Sequence, residues 1–275
     1  MLETELEFAT EIARDAGKIL LEIYATDFGF ELKGKADPVT EADQRANEFL
    51  VKKLRERFPE DGIVAEETAD QSDATRFERC WYVDPLDGTK EFIAKNGEFS
   101  VMVGLAIGGE AKLGVVFQPV RDKLYRGVVG HGATLHERGE WRALEVSEEA
   151  NPAKLALVAS RSHRPADLDE LIRRLGITKE AASGSVGLKI GIIAERQADL
   201  YVHASDRSSK WDACAPEAIL RAAGGRFTDV GGAPFRYDEA DIKNRRGILA
   251  CNATAYEKVF PVIHALATER GFLPK

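Results

Sequence analysis

The sequence predicts an α+β protein whose C-terminal part is α/β. Three observations carry this. Two stretches with helical apolar spacing open the chain, and short β-type runs broken by glycines follow. After a polar stretch near residue 150, strand-like and helix-like segments alternate.

Leu6, Ala9, Ala13, Ala16, Leu20 and Ile23 recur at helical spacing, so about 3–25 forms an amphipathic helix. A second helix covers 40–58, with Ala42, Ala46, Phe49, Leu50 and Leu54 inward. Short β-type runs then occupy 63–65, 81–83, 99–107, 112–118 and 124–129. Gly108-Gly109 separates two of them and Gly130 follows the last, which reads as an antiparallel meander. The stretch 145–153 is polar. Beyond it a strand at 155–159, helices at 165–175 and 186–195, a strand at 199–203 and a helix at 212–223 follow. Strands at 225–229 and 247–251 and a helix at 253–268 complete the chain. The expected organisation is an N-terminal α+β subdomain (1–150) carrying most candidate ligands, and a C-terminal α/β subdomain (151–275). The cleft between them is the default ligand site.

Bulk properties narrow the partners. The chain has 275 residues, 44% hydrophobic and 31% charged, an ordinary globular balance. Its net charge is −8, from 38 Lys+Arg against 46 Asp+Glu. Such a surface repels nucleic-acid polymers, so an anionic ligand must be held by bound cations or a local basic cluster. Four glutamates among the first eleven residues are unlike a signal peptide, and the apolar run 101–109 is too short to span a bilayer. Cys80, Cys214 and Cys251 are odd in number and contain no CxxC pair. They read as small buried residues of a reducing compartment, so a cytoplasmic protein with no membrane partner is expected. Oligomeric state is not legible.

The most informative segment is Trp81-Tyr82-Val83-Asp84-Pro85-Leu86-Asp87-Gly88-Thr89-Lys90. An apolar strand delivers two aspartates three residues apart on a turn that Pro85 stiffens, and Gly88 lets the backbone approach a ligand. Oxygen ligands on a rigid turn suit a hard cation such as Mg²⁺. An ordinary surface turn is the alternative. Three further acidic sites are equally two-sided. Asp37-Pro38-Val39-Thr40-Glu41-Ala42-Asp43 opens a helix, and Thr40 with Asp43 fits a capping box. Glu66-Glu67 ends the 63–65 strand and fits a solvated strand end. Asp212, in Trp211-Asp212-Ala213-Cys214-Ala215-Pro216-Glu217, fits a plain N-cap.

Taken in order, DPVTEAD, the AEE step, WYVDPLDGTKEF and KWDACAPEAIL resemble the signature segments of the inositol monophosphatase superfamily, which includes inositol monophosphatases, fructose-1,6-bisphosphatases and 3′(2′),5′-bisphosphate nucleotidases. The resemblance runs from about residue 37 to 252. It implies a layered α-β-α-β-α sandwich. It also implies that Glu66, Asp84, Asp87 and Asp212 bind metal together with the Leu86 carbonyl. Thr89 is implied to hydrogen-bond Asp43 and orient the attacking water. Position 65 is alanine where glycine is commoner, which leaves the ligand Glu66 untouched.

The implied reaction is magnesium-dependent phosphomonoester hydrolysis. Two or three Mg²⁺ ions would activate water and neutralise the phosphoryl oxygens, and Li⁺ would inhibit by taking a Mg²⁺ position. Glu66 and Thr89 would position the nucleophile, and the Gly88 and Thr89 amides would grip a phosphate oxygen. No Ser or Cys nucleophile elbow is present, so direct in-line attack by water is expected.

Three features resemble the bisphosphate nucleotidase branch. They are Lys90-Glu91 after Thr89, the Ser160-Arg161-Ser162-His163 segment, and the stretch from Gly184-Ser185-Val186-Gly187-Leu188-Lys189 to Glu217. A nucleoside bisphosphate carries a second phosphate away from the metals, which needs other donors. Ser185 and Lys189, four apart on a predicted helix, share a face and with His163 could hold it. His203 stands where inositol phosphatases usually carry a carboxylate. The expected small-molecule substrate is adenosine 3′,5′-bisphosphate, with a broad inositol monophosphatase as the alternative and a non-catalytic binding module as a distant third. The segment 229–247, with Asn244, Arg245 and Arg246, is a candidate wall for the base, or else a surface loop. Arg161 and Arg164 are similarly two-sided.

Overall fold

The structure, a computed structural model, describes residues 2–32, 38–68, 73–165 and 167–274; Asp37 of the first acidic segment lies outside them. Helix α1 (Glu3–Tyr24) buries Ala9, Ile12, Ala13, Ala16, Leu20 and Ile23 on one face. A short pair, β1 (Glu31–Leu32) and β2 (Pro38–Val39), leads to α2 (Glu41–Arg57). Strands β3 (Gly62–Ala65) and β4 (Arg79–Asp87) precede the one-turn helix α3 (Thr89–Ile93). The meander then runs through β5 (Ser100–Ile107), β6 (Glu110–Gln118), β7 (Lys123–Val128), β8 (Gly132–Glu137) and β9 (Glu140–Leu144). Together β3 to β9 form one sheet in sequence order, antiparallel except for the parallel β3–β4 pair.

After the polar link come β10 (Ala156–Ser160), α4 (Leu168–Leu175), β11 (Lys179–Ser183), α5 (Val186–Ala194) and β12 (Leu200–His203). Then follow α6 (Lys210–Ala222), β13 (Gly225–Thr228), β14 (Ile248–Asn252) and α7 (Ala253–Glu269). The second sheet has the order β11-β10-β12-β14-β13 and is mixed. β10 pairs in parallel with β11 and β12, while β14 is antiparallel to both its neighbours.

Three apolar clusters account for the layering. Helices α1 and α2 cover one face of the first sheet, burying Leu20, Leu50 and Leu54 against Trp81, Val83, Val103 and Val115. A central cluster joins the other face, through Tyr82, Met102, Val116 and Tyr125, to Ile190, Cys214 and Ile219 of α5 and α6, and on to Val158, Tyr201 and Ile248 of the second sheet. Helices α4 and α7 cover its outer face, with Leu171, Val259 and Ile263 against Leu157 and Leu249. The order is α-β-α-β-α. Each sheet lies wholly on one side of residue 150, but the central core takes side chains from both halves.

Besides the short β1–β2 pair, four elements depart from the sequence reading. The meander continues past Gly130 into β8 and β9, and β9 is exposed over all but its last residue, so no apolar alternation marks it. Strand β11 is likewise an exposed edge, and α3 is too short to leave a period. Among the described residues no helix is long and apolar enough to cross a membrane. Cys80, Cys214 and Cys251 are free and buried.

Candidate active site

The first two aspartates owe their placement to an irregular strand. In β4, Asp84 is opposite Met102 and Asp87 opposite Ser100, so three steps on one strand match two on its neighbour. An even strand would point residues three apart to opposite faces; the extra residue returns Asp87 to the side of Asp84. Pro85 sits within this bulge, where its missing donor costs nothing. Asp84 Oδ1 accepts from the Leu86 N–H at 3.0 Å, tightening the turn. Gly88 then adopts φ 99°, and a Cβ there would stand 3.0 Å from the Glu98 carbonyl oxygen. Only glycine accepts that turn without strain.

Asp212 arrives from far along the chain because α6 lies directly on the first sheet. Gly104 and Gly114 are paired across β5 and β6. A Cβ at Gly104 would meet the Ala215 nitrogen at 2.6 Å, and one at Gly114 the Ala215 oxygen at 2.2 Å. Two absent side chains thus admit the helix backbone. Asp212 is not the N-cap. Ser209 is, and Asp212 closes a capping box by accepting from the Ser209 N–H at 2.5 Å. Asp43 does the same for α2, accepting from Thr40 N–H at 2.7 Å and Thr40 Oγ1 at 2.6 Å. Both capping and a second role are therefore open to each carboxylate, because a cap engages only one of its two oxygens.

Carboxylate oxygens of Asp84, Asp87 and Asp212 lie within 4.8 Å of one another, the one such group among the described residues. Burial, then the charges of Glu66, Asp87 and Asp212, pushes the Asp84 carboxyl well above its usual range. Burial raises Asp87 as well, against the charge of Lys189 and hydrogen bonds from Ser185 and Gly187. Burial and the Asp87 charge lift Asp212 to about 7. Crowded carboxylates in a dry site hold protons unless cations replace them, so the donor set fits a hard divalent ion. Glu66 follows β3, its N–H donating to the Val83 carbonyl at 3.1 Å. It stands beside the trio and acts on Asp84 by its charge.

Thr89 Oγ1 lies 3.1 Å from Asp43 Oδ1 and 3.2 Å from the Leu86 carbonyl, so its single proton goes to one or the other. Burial pushes Asp43 up to about 6, opposed by the donors of Thr40.

Ser185 and Lys189, expected at a distal phosphate, are both buried, with their polar atoms on Asp87 and on backbone carbonyls. Ser185, fully buried, caps α5 and donates its hydroxyl to Asp87 Oδ2 at 2.5 Å, and the Gly187 N–H reaches the same oxygen at 2.9 Å. Lys189 is 1% exposed and donates to the Gly184 carbonyl at 2.6 Å. Its ammonium lies over the Tyr201 ring of β12, 5.2 Å from the centroid, and both residues act on Asp87, Ser185 by a hydrogen bond and Lys189 by its charge. His163 is exposed and meets Lys90. His203 stacks near Tyr201, and its buried Nδ1 has no partner among the described residues. Burial lowers its imidazole to about 4, so it is uncharged at neutral pH.

Asn244 does not line a base wall either. It is buried, and its amide donates to the Ser209 carbonyl at 2.6 Å, pinning the start of α6. Arg245 pairs with Asp241 and Arg246 with Asp229. Arg161 pairs with Glu98, and Arg164 with Asp169 and Glu180. Sequence reasoning missed Lys243, whose ammonium donates to Ser209 Oγ at 2.8 Å and whose charge reaches Asp212. A lone lysine in a glycine-rich segment gives no signal for this.

Carboxylates gathered this way can neutralise cations that in turn hold a phosphate ester, a site that fits a metal-dependent phosphatase. The sequence matches the inositol monophosphatase family over residues 1–267; the chain belongs to that family and is a phosphatase. The family is magnesium-dependent. Among its relatives, the 3′(2′),5′-bisphosphate nucleotidase CysQ of Escherichia coli K12 is 36% identical over 235 residues, covering 84% of this chain and 93% of that protein. Mouse inositol monophosphatase 1 is 27% identical over 276 residues, covering 96% of each. The crystal structure of CysQ from Bacteroides thetaiotaomicron superposes with TM-score 0.79 at 31% identity, over 92% of this chain and 98% of that one.

Proposed function

We propose that this phosphatase is a 3′(2′),5′-bisphosphate nucleotidase, which hydrolyses adenosine 3′,5′-bisphosphate to AMP and phosphate. The observation that carries the chemistry is the aspartate trio within 4.8 Å. Similarity to CysQ at 36% identity favours the nucleotide over inositol phosphate.

In this reading Glu66, Asp84, Asp87, Asp212 and the Leu86 carbonyl hold two or three Mg²⁺ ions. When bound, those ions would supply charge neutralisation of the phosphoryl group and a lowered pKa for the attacking water. The protein's part is orientation. Thr89, held by Asp43, accepts a hydrogen bond from the water and aims it in line with the ester, with Glu66 on its other side. The Gly88 and Thr89 amides receive a phosphoryl oxygen. Ser185, Gly187 and Lys189 fix Asp87 from behind, by two hydrogen bonds and by charge. His163 contacts the phosphate that is not cleaved, and His203, uncharged, offers a hydrogen-bonding nitrogen to the sugar.

The two halves, 1–150 and 151–275, act as one catalytic body because the trio draws on both. Li⁺ inhibits by entering a Mg²⁺ position, and the 3′-phosphosulfate relative of the substrate is also accepted, placing the enzyme in sulfate assimilation. Three free buried cysteines support a reducing, cytoplasmic setting.

Phosphate release with Mg²⁺ from adenosine 3′,5′-bisphosphate and inositol 1-phosphate, with and without Li⁺, tests the reading. A higher kcat/KM for the nucleotide is expected. A preference for inositol phosphate overturns the substrate assignment and makes the chain an inositol monophosphatase of broad specificity. Hydrolysis in ¹⁸O-water places the label in phosphate; label in the nucleoside product rules out attack at phosphorus.

A further inference from the structure

One contact beside the aspartate turn has a chemistry that hydrolysis itself does not use. Lys90, in the first turn of α3, and His163, in the loop after β10, stand with 2.8 Å between Nζ and Nε2. An ammonium can only donate, so His163 Nε2 accepts and the imidazole is neutral, with its proton on Nδ1. Two side chains able to carry positive charge therefore share one hydrogen bond. Burial and the Lys90 charge hold the His163 imidazole below its ordinary value, with smaller contributions from Arg207 and Lys189.

The backbone around this pair is already pinned. Glu91, buried and next to Lys90, accepts from Ser162 Oγ. Arg161 makes a two-pronged pair with Glu98 at 2.7 and 2.6 Å, and Glu98 also accepts from the Gly184 N–H at 3.0 Å. These contacts fix the loop 160–163 against α3 and the segment after it. The arginines of the loop are spent on carboxylates. Lys90 has no carboxylate partner among the described residues and is half-buried, while His163 is exposed. With Arg207, whose charge reaches His163 and which also has no carboxylate partner among the described residues, the pair is an uncommitted basic group of this interface.

We propose that Lys90 is a specificity-determining residue which, with His163, binds the uncleaved phosphate of a nucleoside bisphosphate; this rests on the nucleotidase reading above. A phosphate entering between the two gives each its own acceptor. Lys90 keeps its proton, and His163 takes one from solvent and donates from Nε2. Only two side chains need rotate. A substrate with a single phosphate leaves the pair in its empty arrangement and gains nothing from it, so the pair discriminates by what the second phosphate adds.

The test compares adenosine 3′,5′-bisphosphate with adenosine 3′-monophosphate, which differ only in the 5′-phosphate, on wild type, Lys90→Met, Lys90→Arg and His163→Asn. Lys90→Met is expected to lower kcat/KM on the bisphosphate by about 10- to 100-fold and to leave the monophosphate within about twofold, and His163→Asn to lower the bisphosphate-to-monophosphate ratio of kcat/KM by a similar factor. Lys90→Arg keeps most of the bisphosphate rate. The double variant loses less than the product of the single losses, because both groups serve one phosphate. A thermal midpoint near that of wild type reports that each variant is folded, and Lys90→Gln replaces Lys90→Met if it is not. Equal losses on the two nucleotides overturn the proposal, as does an unchanged bisphosphate rate. A wild type that does not prefer the bisphosphate overturns the nucleotidase reading and this inference with it. A wild type that does prefer it, with a Lys90→Met variant that keeps the preference, overturns this inference alone.

Discussion

Glu217 offers the sharpest physical test of how α6 is held. It lies on the helix that carries Asp212, is 2% exposed, and accepts from Tyr237 OH at 2.7 Å and from Arg221 at 3.0 Å. Burial outweighs those donors and pushes its carboxyl from 4.5 up to about 7. A carboxyl raised in this way binds its proton more tightly in the folded state than in the unfolded chain. Below the unfolded value both states are protonated, and above the folded value both are ionised. Between the two, only the folded state keeps the proton, so stability falls as pH rises through this window. Going from about pH 5 to about pH 8, the loss is on the order of 2–3 kcal/mol. Glu217→Gln keeps the shape and cannot titrate. Urea unfolding of both proteins across that range, at saturating Mg²⁺, isolates the residue, since the active-site carboxylates titrate alike in both. The difference in stability, wild type minus variant, is expected to fall by about that amount. Parallel curves would show that Glu217 is ionised throughout and that the Arg221 pair, not burial, governs it.

The remaining predictions concern the site and its support. Asp87→Asn should abolish phosphate release while leaving the thermal midpoint near wild type or above it, because it removes one of three mutually repelling carboxylates. Ser185→Ala, which takes away a donor to Asp87, should raise the Mg²⁺ concentration for half-maximal activity by about 10- to 100-fold. An unchanged Mg²⁺ requirement would mean that Ser185 serves only the helix cap. Gly114→Val forces a side chain against the Ala215 carbonyl and should destabilise by about 2–3 kcal/mol in urea unfolding, with activity falling as Asp212 is displaced.

Much of the site was legible because its parts are local. The Asp84-Pro85-Leu86-Asp87-Gly88 turn announces itself through proline and glycine at fixed offsets, and the capping box of Thr40 and Asp43 is written in four consecutive residues. The long helices α1, α2 and α7 and the apolar strands β5 and β6 were legible because their buried faces repeat with the element's own period. Strands β9 and β11 were not, since an exposed edge strand has no buried face to betray it.

The sequence by itself determined which residue types stand at each helix start and strand end, and hence a chemistry of buried carboxylates. Tertiary structure decided which of them meet. Asp212 reaches Asp84 because paired glycines at 104 and 114 let the α6 backbone settle on the sheet, a consequence of two side chains that are missing from strands far upstream. It also decided which way Ser185 and Lys189 face. Their spacing places them on one side of α5, but only the packing of that helix between two sheets turns that side toward Asp87 and away from solvent. Helical periodicity specifies a relation between side chains; the partner that covers them sets the direction.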